Sequence, residues 1–389
     1  MTDWPVKTLG DLMTVQNGYA FDSQYFSPSG KIGLIRIRDL KSGVGTETQF
    51  VGSYDDEYVV TAGDYLIGMD GEFRCYEWKG DPALLNQRVC RLRNFGKSLD
   101  ARFLFHGINK FLKEIEDVTG YTTVKHLSSK SILAIEMPVP PLDEQKRIVA
   151  LLDAATERVT ELTACYEQAR THANDLFTSA LCYELESNPD WPVKTLGDVC
   201  ELSTGGTPST GNKAYYDGGE IKWLRSGDVH QREIYDCDGR ITEEGMQNAN
   251  TRYLPLNSVL IALAGQGKTR GTVAMLRTKA TCNQSVVSIM PVDVKTLLPE
   301  FVFWNLHMKY DEIRRMTGDD GNDRRGLNMR LIRSMVIPVA PLEEQKRIVA
   351  QLDSMRAKTS EMVAAYDAKL AAAKNLSQSI LEAAFGGDL

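Results

Sequence analysis

The chain has 389 residues, 42% of them apolar and 25% charged, with a formal net charge of −7. Single cores stop growing near roughly 250–300 residues, so two or more domains are expected. The apolar content excludes a disordered chain, and 31 Gly and 7 Cys exclude collagen-like and disulfide-scaffold compositions. The opening residues Asp3-Trp4-Pro5-Val6-Lys7 carry no apolar signal core. No run approaches the roughly 18 apolar residues of a membrane span, so a soluble cytoplasmic protein without membrane contact is expected.

Taken in order, short β-rich runs come first, at Ile32–Asp39, Asp64–Met69 and Arg88–Arg93, bounded by Gly, Asp and Asn clusters. A helix is predicted over about 100–117, then a short strand closed by Pro138, Pro140 and Pro141. A long helix follows. The same series then repeats: runs at Ile221–Val229, Ser258–Ala264 and Ser285–Met290, a helix over about 299–316, a strand, Pro338 and Pro341, and a second long helix.

The chain is an internal repeat. Asp3-Trp4-Pro5-Val6-Lys7-Thr8-Leu9-Gly10-Asp11 recurs letter for letter from Asp190 to Asp198. Pro141-Leu142-Asp143-Glu144-Gln145-Lys146-Arg147-Ile148-Val149-Ala150 recurs from Pro341 to Ala350 with one Asp→Glu change. Between these anchors the copies have diverged, but Asn86-Gln87 matches Asn283-Gln284, and Lys125 and Lys130 match Arg325 and Arg330. The fold class is therefore α+β: two tandem β-rich α/β domains, each followed by a long helix.

The long helices carry apolar seams at heptad spacing. The first is drawn through Ile148, Leu152, Val159, Leu162, Tyr166 and Leu176, the second through Ile348, Leu352, Met362, Tyr366, Leu376 and Ile380. Thr359 and Lys369 disturb the second. Each helix runs for about 40 residues, about 60 Å. Neither buries a narrow stripe alone, so an antiparallel coiled coil is expected, the alternative being packing on the parent domain. The boundaries drawn are 1–140, 141–187, 188–340 and 341–389.

The cysteines show no C-x-x-C pair and the histidines no H-x-x-x-H pair, which points to scattered structural thiols and no metal site. Residues 141–187 hold −5 of the net −7, leaving the β-rich domains near neutral. A near-neutral domain binds DNA only where its basic side chains cluster, and a chain of this balance needs a partner that brings positive charge.

On these residues the sequence resembles the specificity (S) subunits of type I restriction–modification systems. The carriers are W-P-V-K-T-L-G-D opening each copy, Thr204-Gly205-Gly206-Thr207-Pro208-Ser209 in the second, Gly63–Gly71 in the first, P-L-[DE]-E-Q-K-R-I-V-A twice, and Ala384-Phe385-Gly386-Gly387-Asp388-Leu389. The resemblance implies two target-recognition domains, each reading one half of a split sequence in double-stranded DNA. It also implies that the coiled coil sets the spacing and binds two modification (methyltransferase) subunits, with restriction (motor-nuclease) subunits joining. S-adenosylmethionine and ATP belong to those partners. This chain would then hold no cofactor, metal or catalytic residue.

Two decoys compete. Ala262–Thr269 ends in Gly267-Lys268-Thr269 and approximates a phosphate loop, which would make the chain a nucleotide-binding protein, but the first required Gly is Ala262. Asn188-Pro189-Asp190-Trp191 approximates a methyltransferase signature but lacks its second Pro. A purely structural coiled-coil adaptor is the third reading.

Residues shared by both copies cannot give two domains different preferences, so base readers should lie where the copies differ. Lys125, Arg325, Lys130 and Arg330 are expected phosphate contacts. Arg74, Tyr76 and Lys79 are the divergent candidates in the first domain. In the second they are Lys213, Tyr215, Tyr216, Arg225, Lys268, Thr269, Arg270, Arg324 and Asn328. For each one singly, an exposed polar loop residue is the alternative, and for Trp4 and Trp191 core anchoring outweighs stacking on bases.

Overall fold

The computed structural model describes residues 4–119, 126–186, 188–265, 267–317 and 327–386. The chain forms two compact units, one of residues 1–167 with 368–389 and one of residues 168–367. Each unit therefore combines one β-rich domain with the first part of one long helix and the last part of the other.

In the first unit an antiparallel four-stranded sheet runs in the order Thr14–Asn17, Val89–Arg93, Tyr65–Gly68, Cys75–Glu77. A second sheet has the order Phe26–Ser27, Gln49–Phe50, Ile32–Ile35, Ala83–Leu85, Val59–Val60, and its pairing of Ile32–Ile35 with Ala83–Leu85 is parallel. The second unit keeps the plan. Cys200–Thr204, Val286–Pro291, Val259–Ala262, Val273–Leu276 and Glu233–Ile234 form one sheet, and Arg240–Ile241, Ile221–Leu224 and Thr281–Cys282 another. In both units the repeated W-P-V-K-T strand pairs antiparallel with the strand just before the proline exit, Val6–Thr8 with Glu136–Pro138 and Val193–Thr195 with Val336–Pro338.

The runs expected at 32–39 and 221–229 stop early as strands. Ile37–Leu40 and Ser226–Gln231 are helical turns, because Asp39 and Asp228 each turn a carboxylate back onto a backbone N–H three residues earlier. Helix Ala101–Val118 starts where Asp100 accepts from the N–H groups of Arg102 and Phe103, and it buries Phe103, Leu104, Ile108 and Leu112 on one face. Its counterpart is broken at Lys309 into Pro299–Met308 and Tyr310–Met316.

The long helices are Leu142–Glu186 and Leu342–Gly386. Ile148 and Leu152 enter the first unit's core beside Ala384, with Ile380, Leu381 and Phe385 against it. Ile348 and Leu352 enter the second unit's core beside Phe177, Leu181 and Leu185. In each unit the start of one helix thus meets the end of the other, which makes the pair antiparallel. Arg347 and Gln351 each bond Glu184 at 2.8 Å, and Arg170 reaches Asp367 at 3.0 Å. Lys369 lies over the Tyr166 ring at 5.2 Å, so the seam accommodates it as a cation–π partner. Thr359 is buried.

The heptad phase holds only in part. Leu162, Met362, Leu176 and Leu376 are exposed, and the stripe passes instead through Thr163, Val363, Phe177 and Ser377. Five cysteines are buried, but Cys165 is exposed on the first long helix. Trp191 is buried in the second unit's core, and Trp4 packs against the first unit's core, each as an anchor.

Candidate nucleic-acid interface

In each unit two parallel strands end side by side. Ile35 pairs with Leu85, so Arg36 emerges next to Asn86-Gln87. Leu224 pairs with Cys282, so Arg225 emerges next to Asn283-Gln284, whose Asn283 N–H donates to the Leu224 carbonyl at 2.9 Å. The asparagines build the turn: Asn86 Oδ1 accepts from the Gln87 N–H and Asn283 Oδ1 from the Ser285 N–H. The glutamines stand exposed.

A glycine lies against each turn. A Cβ on Gly18 would strike the Asn86 carbonyl, and one on Gly205 the Cys282 carbonyl, so both positions need the missing side chain. Asn17-Gly18-Tyr19 therefore occupies the place of Thr204-Gly205-Gly206. The first copy thus has a one-glycine counterpart to the 204–209 loop, which the sequence shows only in the second. In the second unit the loop is tied down by Tyr216 Oη to the Pro208 carbonyl (2.6 Å), Trp223 Nε1 to the Gly206 carbonyl (3.0 Å) and Thr207 Oγ1 to Gln284 Oε1 (2.5 Å). Tyr216 is thus a loop support. Tyr215 is half-buried beside it and Lys213 is exposed on the same turn.

Lys130 and Arg330 stand exposed on matching short helices, Ser129–Leu133 and Met329–Ser334. Asn328 caps the second of these, accepting from the Leu331 N–H at 3.0 Å, as Ser128 caps the first. Ser129 Oγ bonds Asn17 Oδ1 at 2.5 Å, tying that helix to the glycine turn. Lys125, Arg324 and Arg325 lie outside the described residues.

Arg74, Tyr76 and Lys79 belong to a different edge, the outer strand Cys75–Glu77. Arg74 lies 3.9 Å from Glu72 and over the Tyr76 ring at 5.8 Å, and burial pushes the Tyr76 hydroxyl above its usual pKa. Lys79 is exposed.

Lys268, Thr269 and Arg270 lie on the connection between Val259–Ala262 and Val273–Leu276, which pair antiparallel. This corrects the phosphate-loop reading: such a loop must open a helix whose N-terminal N–H groups face the phosphate, and here the connection 263–272 leads into an antiparallel strand, with no helix among its described residues. The Lys268 carbonyl accepts from Tyr310 Oη at 2.8 Å, and Thr269 Oγ1 lies 2.9 Å from His230 Nε2.

Arg36 stands at the position in the first unit that Arg225 takes in the second. The two share an Arg-x-x-Asp spacing, Arg36-Asp39 and Arg225-Asp228, with divergent residues between and around them. Among the described residues no His, Cys, Asp and Glu side chains cluster as metal ligands, and no helix is long and apolar enough to cross a membrane.

The chain matches the family model described as the type I restriction modification DNA specificity domain twice, over residues 1–169 and 188–370. It is 28% identical to the EcoBI specificity subunit of Escherichia coli, covering 99% of this chain and 86% of that one. It is 25% identical to the EcoR124I/EcoR124II specificity subunit of the same organism, over 67% and 64%. A solved chain from work on complex assembly and conformational transition of the type I R-M system superposes with a TM-score of 0.76 at 22% identity, over 99% of this chain and 98% of that one. The HsdS subunit from Thermoanaerobacter tengcongensis superposes at 0.57 and 20% identity, over 99% and 97%. Two matches to one domain model, which together take in most of the sequence, place this chain in the type I restriction–modification DNA specificity family, a non-catalytic one.

Proposed function

We propose that this chain is the DNA-reading subunit of a type I complex. Residues 1–140 and 188–340 each read one half of a bipartite, asymmetric target. The helices within 141–187 and 341–389 set the spacer and dock two modification subunits. Methyl transfer, with S-adenosylmethionine, and ATP-driven cleavage belong to partner subunits.

The observation that carries this reading is a duplicated scaffold with diverged surface loops. Both units share the parallel strand pair, the glycine turn and the Asn-Gln turn, while the loops around them differ in sequence and length. Matched exposed apolar residues on the helices, Leu162 with Met362 and Leu176 with Leu376, suit two equivalent copies of one partner.

The test is to map methylated adenines across the genome of cells carrying the modification subunit, with and without this chain. A bipartite motif should vanish when the chain is removed. Exchanging residues 188–340 for the matching segment of another family member should change one half of that motif and keep the other. Methylation unchanged by both operations would refute the reading and leave the structural adaptor.

A further inference from the structure

Arg36 and Arg225 come from segments that have otherwise diverged, yet they share one geometry. Their backbone angles are −114°, 165° and −115°, 166°. The N–H of Arg36 donates to Asp39 Oδ2 at 2.8 Å and its carbonyl accepts from the Asp39 N–H at 2.9 Å. The corresponding distances for Arg225 and Asp228 are 2.7 and 3.0 Å. Each guanidinium lies over an aromatic ring, Arg36 over Phe26 at 5.0 Å and Arg225 over Trp223 at 5.1 Å. That cation–π contact holds each group against its ring, and a guanidinium so held keeps N–H donors to offer.

Among the described residues no carboxylate lies within ion-pair distance of either guanidinium, although Asp39 still feels the charge of Arg36. Their neighbours differ in this respect. Arg38 pairs with Glu47 at 3.1 Å, and buried Arg91 with Asp64 at 3.0 Å. Each of the two arginines stands beside an exposed glutamine, Gln87 or Gln284, at the end of the parallel strand pair. A cation held in place without a direct ion pair costs less ordering entropy when it meets an anion.

We propose that Arg36 and Arg225 are the matched phosphate contacts of the two recognition domains, setting each domain's position on the duplex while diverged loops read the bases. This rests on the DNA-reading function proposed above. A residue held identically in two domains that read different half-sites conveys no sequence information, and phosphate is the ligand both half-sites share. Arg225 thus moves from the divergent base readers to the common set, and Asp39 and Asp228 act as positioning residues.

The assembled complex of this chain with its modification subunits tests this. Wild type, Arg36→Ala, Arg225→Ala and the two Arg→Lys variants are titrated, over a salt series, with two labelled duplexes. One carries the target mapped in vivo and the other is of random sequence. Each Ala variant should weaken both duplexes by the same factor, about tenfold. Each should also lower the slope of log affinity against log salt by about one. The Lys variants should retain most of the affinity, since phosphate accepts a point charge. Loss on the target duplex alone would make the residue a base reader, and no loss on either would remove it from the interface; each result overturns the proposal. If wild type itself shows no preference for the target, the DNA-reading function fails, whatever the arginines do. Arg→Gln, which keeps the aliphatic stem, replaces Arg→Ala should the melting temperature fall.

Discussion

Gln145 and Gln345 explain why the P-L-[DE]-E-Q-K-R-I-V-A segment is kept in both copies. Both side chains are fully buried. Gln145 Oε1 accepts from the Asp100 N–H at 2.7 Å, and its Nε2 donates to the carbonyls of Ser98 and Pro140. Gln345 makes the same three bonds, to the Leu298 N–H and to the carbonyls of Thr296 and Ala340. One amide thus ties the start of a long helix to the approach of the preceding helix and to the proline exit. An amide alone supplies one acceptor and two donors in this space. Gln145→Leu strands three buried backbone groups and should cost about 3 kcal/mol or more in chemical denaturation of the full chain. Gln145→Glu should also be costly, because a carboxylate accepts from Asp100 but donates to neither carbonyl. A loss below about 1 kcal/mol for both variants would mean that water replaces the amide. The repeat made this residue visible in the sequence. Its partners were not visible, since they are backbone groups of residues whose identities carry no trace of the bond.

The long helices show where pattern reading stops. Their existence, starts and antiparallel pairing follow from proline punctuation and from a stripe too narrow to satisfy one helix. The phase does not follow beyond the first two turns of heptads. From Ile148 to Glu184 the covered stripe takes ten steps in 36 residues, an average of 3.6, and from Ile348 to Ala384 it does the same. A 3.5-residue repeat drifts about 20° per heptad against a straight helix. Four heptads after Ile148 the drift is nearly one residue's rotation, so Leu176, 67% exposed, yields its place to Phe177, 4% exposed. Leucines at 162 and 176 kept the heptad plausible because their apolar character serves the outer surface. Phe177 contacts Trp304 at 5.7 Å and lies under Arg356 at 5.2 Å. Phe177→Ala should therefore cost about 3–5 kcal/mol, and Leu176→Ala about 0.5 kcal/mol or less, in denaturant unfolding. The reverse order would restore the heptad phase. Lys369 shows the same limit: read along one helix it breaks the seam, and across the pair it lies over the ring of the opposing Tyr166.

For the whole molecule, the proposed function makes spacer length a property of helix length. Each recognition domain is built on the start of one long helix and the end of the other. Shortening one helix alone therefore slides its stripe past that of its partner, whereas shortening both at corresponding points keeps the two in step. Removing seven residues from the middle of each helix shortens it by about 10 Å, at 1.5 Å per residue, and turns it by only about 20°. At 3.4 Å per base pair that is about three pairs of duplex. Methylome mapping of cells carrying the doubly shortened chain should find both half-sites unaltered and the gap between them reduced by about three. The singly shortened chain should fail to methylate, because its stripes no longer meet. If the doubly shortened chain methylates the original motif with its original gap, the paired helices do not measure the target, and the spacing must come from the partner subunits.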